Sequence, residues 1–226
     1  MFFFVQTVML EINIYRMKKT LVLVTLFILP IVIYLFFASG ITNFGKLATL
    51  TENVPEIDFA DKAVSLGGKI TVLGFLGKDV ESKKGNAFNL NQKIYKRFYE
   101  FNDFQFVMVL PKGTEQDVEE LKKELLQLAD IGKWNFVFGD DDEINDLFKS
   151  LKTNLVLDGN LGTPYVFIID KNRVLRGRDD DGEEGIKYGF DTSSVADLNN
   201  KMEDDVKIIL AEYRMALKKN YADRPK

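Results

Sequence analysis

The run from Thr20 to Phe37, TLVLVTLFILPIVIYLFF, carries no charge. A helix of that length spans about 27 Å, close to the hydrocarbon thickness of a bilayer. Pro30 lies inside it, which membrane helices tolerate. Arg16, Lys18 and Lys19 flank its start, while Lys46, Glu52, Glu56 and Asp58 follow it. The positive-inside tendency therefore predicts a cytoplasmic N-terminus and an extracytoplasmic remainder. Two other readings compete. A buried core helix could be as apolar, and Met17-Lys-Lys-Thr-Leu-Val with Ala38-Ser39-Gly40 resembles a cleavable signal. The apolar run exceeds the usual signal core of about 7–15 residues, so the expectation is an uncleaved anchor. Met17 followed by two lysines reads as a natural chain start, with residues 1–16 an extension, and a peptide covering 1–16 would refute that.

The chain of 226 residues has no cysteine and no histidine. Disulfides, thiolate nucleophiles, thiol redox couples and a lipoprotein anchor are thereby excluded. So are Ser-His-Asp triads, Cys-His pairs and ordinary catalytic zinc or copper-thiolate sites. Asp, Glu, Lys, Tyr or a hard cation could still do chemistry. The formal net charge of -4 argues against a nucleic-acid partner, since phosphate binding needs clustered Lys and Arg.

Past the apolar run, strand and helix signals alternate. Expected domains are a cytoplasmic 1–19, a transmembrane 20–39, a linker 40–53, a folded domain 54–220 and a tail 221–226. Lys69 to Leu76 is an apolar strand leading into a polar loop, Gly77 to Asn86. Asn86 to Phe101 carries Leu90, Ile94, Phe98 and Phe101 at helical spacing. Phe104 to Leu110 is a strand stopped by Pro111. Thr114 can cap the next helix, whose inner face is Val118, Leu121, Leu125 and Leu128. Trp134 to Phe138 is a third strand, and Asp140-Asp-Asp-Glu143 opens a short helix carrying Ile144, Leu147, Phe148 and Leu151. Pro164 to Asp170 and Arg173 to Arg178 pair as a hairpin across the two-residue turn Lys171-Asn172. A last helix, Ser193 to Asn220, presents Val195, Leu198, Met202, Val206, Ile209, Leu210, Tyr213 and Leu217, with Lys218 and Lys219 in its last turn. Strands joined by helices pair in parallel, and a hairpin adds an antiparallel pair, so the fold class is α/β with a mixed central sheet.

Gly162-Thr163-Pro164-Tyr-Val-Phe-Ile-Ile-Asp170 and the strand before Gly77 resemble thioredoxin-like proteins, in which a cis-proline precedes a strand and hairpin. The approach Val54-Pro55-Glu-Ile-Asp-Phe59 is similar to membrane-tethered thiol-disulfide exchange and SCO-type members. The resemblance covers roughly 54–218 and implies a thioredoxin-like domain with Pro164 in the cis form. It also implies a working Cys pair after the first core strand, and here that stretch has none.

Sites follow from what is left. Lys78, Lys83 and Lys84 beside Thr163, Pro164 and Tyr165 would form the rim of a cleft without its catalytic groups. Asp179, Asp181, Glu183 and Glu184 surround Gly182, an oxygen-rich cluster of the kind Ca²⁺ takes, without EF-hand spacing. A solvated acidic loop is the plainer reading. The expected function is a redox-inactive, membrane-anchored accessory, its domain periplasmic, that binds a protein of the inner membrane or envelope and needs no cofactor. The alternatives are a carboxylate-based Ca²⁺ module or enzyme at 179–184, and a structural subunit of an envelope complex.

Overall fold

The computed structural model describes residues 18–36, 45–59 and 64–222, with side chains to 216. The chain divides into two compact units, Met1–Gly45 and Lys46–Lys226. In the first, helix α1, Lys18–Phe36, has mean hydropathy 2.4 and is long and apolar enough to cross a membrane. Residues 1–17 and 37–44 lie outside the described residues, and with them the readings on the chain start and on Ala38-Ser39-Gly40.

In the second unit a sheet of 7 strands runs in the order β1-β6-β5-β2-β3-β4, with β7 paired to β5. The strands are β1 Ala48–Thr51, β2 Ile70–Leu76, β3 Phe104–Pro111, β4 Trp134–Gly139, β5 Gly162–Ile169, β6 Leu175–Gly177 and β7 Phe190–Asp191. Strands β2, β3 and β4 are parallel. β5 runs antiparallel to β2, and β6 to β5. Parallel strands joined by helices, set beside an antiparallel hairpin, make the fold thioredoxin-like.

β2 and β3 are buried along their whole length. Central strands covered on both faces read as unbroken apolar runs, which is why both are visible in the sequence. Side chains alternate between two cores. Ile70, Val72, Phe106 and Met108 lie under α2, α3 and α5. Leu73, Phe75, Val107 and Val109 lie under α4 and beside Val54, Ile57, Val64 and Leu66. Helix α2 runs Val80–Leu90, passes through a π-turn at Asn91–Tyr95 and ends at Lys96–Phe98. Helices α3, Glu115–Leu128, and α4, Asp141–Ser150, follow β3 and β4. Helix α5 starts at Val195–Asp197, takes a π-turn at Leu198–Met202 and continues Glu203–Ala222.

Several expectations change. The stretch read as a polar loop to Asn86 is helical from Val80, because Asp79 accepts the Ser82 N–H and Glu81 complements the first turn. The linker 40–53 includes β1, which pairs with β6. Thr114 sits at the start of α3 without capping it, and its hydroxyl donates to the Pro111 carbonyl. The hairpin loop holds three residues, not two: Asp170 N–H bonds Val174 O, and Arg173 takes φ 59. Asp170 Oδ1 accepts the N–H groups of Asn172 and Val174, which fixes that turn. The Thr163-Pro164 bond is trans, as is every described peptide bond. Phe101, Leu128 and Val195, expected inside, are exposed. The side chains of Leu217, Lys218 and Lys219 lie outside the described residues. The acidic start of α4 behaves as read, with Asp140 and Glu143 forming a capping box.

Candidate functional site

The position that follows the first core strand is closed by the chain itself. Gly77 has φ +74, and a Cβ there would lie 2.5 Å from Asn160 O and 2.6 Å from Gly162 N. Only glycine permits so close an approach of two backbones. Lys78 N–H donates to Asn160 O at 2.8 Å. Asp158 Oδ1 accepts from the N–H groups of Asn160 and Gly162, each at 2.9 Å. Its other oxygen accepts from Lys83 Nζ at 3.0 Å. Burial raises the Asp158 carboxyl, but the Gly162 amide, Lys83 and the Asn160 amide outweigh it and leave it below its ordinary 3.8. Segment 158–162 is thus bolted across the mouth of β2.

The three lysines read as one cluster separate in space. Lys78 pairs with Asp141 at the start of α4, 2.7 Å away. Lys83 and Thr163 line one narrow crevice with Asn86, Ala87 and Thr192. Lys84 faces α3, bonding Glu124 at 2.5 Å and Glu81 at 3.4 Å. The Glu124 hydrogen bond raises its pKa. None of the three is a free cation. Thr163 is buried, and Pro164 O accepts both the Thr192 N–H and its hydroxyl, at 2.9 and 2.6 Å.

Tyr165 belongs to a second, open depression. Its walls are Glu183, Glu184, Asp191, Asp197 and Lys201, with Ser194 and Asn200. The acidic loop behind it is neutralised from within. The side chain of the part-buried Asp181 is covered by its partners, meeting Lys201 at 2.5 Å and Arg178 at 3.3 Å. Lys201 also reaches Glu183 at 2.8 Å. Lys187 is buried between Glu184 at 3.0 Å and Asp197 at 3.1 Å. Arg178 continues to Asp205 at 2.8 Å. Burial raises Asp181, and Lys201 reverses that to a net depression. Asp205 stays raised, because burial outweighs Arg178. Asp179 is exposed, and among the described residues no group of three or more carboxylates converges as metal ligands. With three side-chain cations already on their oxygens, Asp181, Glu183 and Glu184 form a structural network, while exposed Asp179 makes no ion pair among the described residues.

Sequence reasoning missed Asp158, Lys187 and Lys201. The turn-forming run Asp158-Gly-Asn160 was a local signal for the first. Lys201 lies 20 positions from Asp181 and carried none.

No protein-family model and no curated protein matches this chain. Some solved structures are similar to it at low identity. The thioredoxin domain of a thiol-disulfide oxidoreductase from Bacteroides vulgatus is 20% identical with a TM-score of 0.42, over 70% of this chain and 98% of its own. The soluble domain of Sco1 from Bacillus subtilis is 16% identical at 0.45, over 71% and 94%. A thioredoxin-family thiol:disulfide interchange protein from Chlorobium tepidum is 17% identical at 0.40, over 73% and 96%.

Proposed function

We propose that this thioredoxin-like chain is a membrane-anchored, extracytoplasmic binding protein that does no thiol chemistry and serves as an accessory in assembling membrane or envelope proteins. The observation that carries this reading is the lock at Gly77. Where the resemblance implies a reactive Cys pair, this chain has none, and loop 158–162 is held there by main-chain bonds and Asp158–Lys83. A rim built this way is rigid before a partner arrives, so little ordering entropy opposes binding.

The partner would lie along Thr163, Pro164 and Tyr165. The half-buried Tyr165 ring offers apolar area; Glu183 and Glu184 keep side chains 78% and 51% exposed beside their internal cations, and their outward oxygens, with Asp191, suit a basic side chain. Lys83, held by Asp158, borders the same rim as a positioning residue.

The test is quantitative co-purification of the full chain from detergent-solubilised membranes. The parent and the double variant Tyr165→Ala/Glu183→Lys are compared at equal bait levels. A stoichiometric partner reduced at least tenfold by the double variant is expected. A partner retained equally by both would overturn the rim assignment, and no partner from native membranes would overturn the binding function.

A further inference from the structure

Lys187 is the only lysine among the described residues that the fold buries, its side chain 1% exposed. Its Nζ meets two carboxylates, Glu184 Oε1 and Oε2 at 3.0 and 3.1 Å and Asp197 Oδ1 at 3.1 Å. The Phe190 ring lies under it, 5.6 Å from Nζ to centroid. An amine becomes a nucleophile when it gives up a proton. The guanidinium groups of the other buried pairs, Arg176–Asp170 and Arg178–Asp205, cannot do so. One carboxylate would balance the charge of Lys187, and the fold supplies two.

The two acids differ in a way that divides a reaction between them. The Asp197 side chain is 10% exposed, and its Oδ2 accepts the Asp191 N–H at 2.7 Å. The Asp197 N–H donates to Ser194 Oγ at the start of α5. The carboxyl is therefore fixed, with one oxygen on the amine and the other on a backbone donor of the kind that stabilises an oxyanion. The Glu184 side chain is 51% exposed, so it can exchange protons with solvent.

We propose that Lys187 and Asp197 condense to an intramolecular amide, a covalent staple in a chain that has no cysteine for a disulfide. Nζ loses one proton to Glu184, which passes it to Asp197 Oδ1. The free amine attacks Asp197 Cγ, and the Asp191 N–H holds the negative charge that forms on Oδ2. Glu184 then takes a second proton from Nζ and delivers it to the departing Oδ1. The Nζ–Cγ bond forms and the Cγ–Oδ1 bond breaks. Ammonium plus carboxylate become amide plus water, with no oxidant, nucleotide or other co-reactant. Reactants held in this way act at effective concentrations of about 10⁵–10⁸ M. Exchanging a buried ion pair for an amide also removes two desolvated charges. The staple would close a short loop carrying Asp191 and Ser194, part of the wall of the depression beside Tyr165.

The test is a tryptic map of the denatured full chain, purified in detergent. Trypsin cuts after Arg178, Lys187 and Lys201, and it does not cut after an acylated lysine. The expected product is one peptide, 179–201, uncut at Lys187 and lighter by one water. Separate peptides 179–187 and 188–201 at full mass overturn the proposal. So does a loss of water with Lys187 still cut, which marks dehydration at Asp181-Gly182 instead. Asp197→Ala should restore both the cut and the full mass, and a variant that stays uncut and light overturns the assignment to Asp197. If that variant does not fold, the parent map alone decides. Glu184→Gln cannot relay protons, so the condensed fraction in freshly made protein should fall at least tenfold, and an unchanged fraction overturns the relay.

Discussion

Replacing Gly77 by alanine tests whether the closed mouth of β2 is a structural lock. Two costs are separable there. Gly77 sits at φ +74, and an L-residue in that region costs about 1–2 kcal/mol. The added Cβ would also lie within 2.5–2.8 Å of backbone atoms of Asn160 and Gly162. Backbone atoms cannot swing aside, so segment 158–162 must move. That breaks the Lys78–Asn160 bond and strains the amides held by Asp158, at about 1 kcal/mol each. Gly68 is the control: its φ is +75, yet a Cβ there meets nothing within 4 Å. Alanine reduces the freedom of the unfolded chain alike in both variants, so their difference isolates the clash. Gly77→Ala should be less stable than Gly68→Ala by about 2–3 kcal/mol, a Tm gap of about 4–12 °C for a domain of this size. The chain's single tryptophan is the buried Trp134, whose fluorescence reports melting of the detergent-purified protein. Equal melting temperatures for the two variants would refute the lock.

Two further outcomes follow from the ion pairs. Lys201→Met leaves the covered Asp181 side chain with Arg178 alone, so thermal melting should show a loss of about 2 kcal/mol. Adding Asp181→Asn should recover most of it, and a double variant no better than the single would contradict the assigned pair. Asp158 has a carboxyl depressed below 3.8 in the fold. A depressed acid contributes stability above its unfolded value and loses it as pH falls through the folded one. Hydrogen exchange of the Asn160 and Gly162 amides should therefore stay slow near neutrality and accelerate below pH about 4 relative to that of β3 amides. No differential change down to pH about 2 would sink the assignment.

The sheet was legible wherever burial is two-sided or aromatic. ITVLGFL, FQFVMVLP, WNFVFG and GTPYVFII are strands β2 to β5. Where the signal is local and polar, sequence reading fell short. The first turns of α2 bury only Val80 and Ala87 before Leu90, so a helix there looks like loop. β1, ATLT, buries one residue in four. The rim was half legible. Thr163, Pro164 and Tyr165 do follow the mouth of β2, but Lys78 and Lys84 turn to carboxylates on α4 and α3. Those partners are 63 and about 40 positions away along the chain, and no local pattern encodes them. Lys201 was invisible for the same reason, since it stands 20 positions from Asp181 on α5, whereas Arg178 and Lys187 pair with Asp181 and Glu184 only three positions away.

The far border of the sheet, β1, is built unlike β4. It is four residues long, and its pairing with β6 slips between Thr49 and Thr51. A kinked ribbon that short gives a neighbouring molecule almost nothing straight to zip onto.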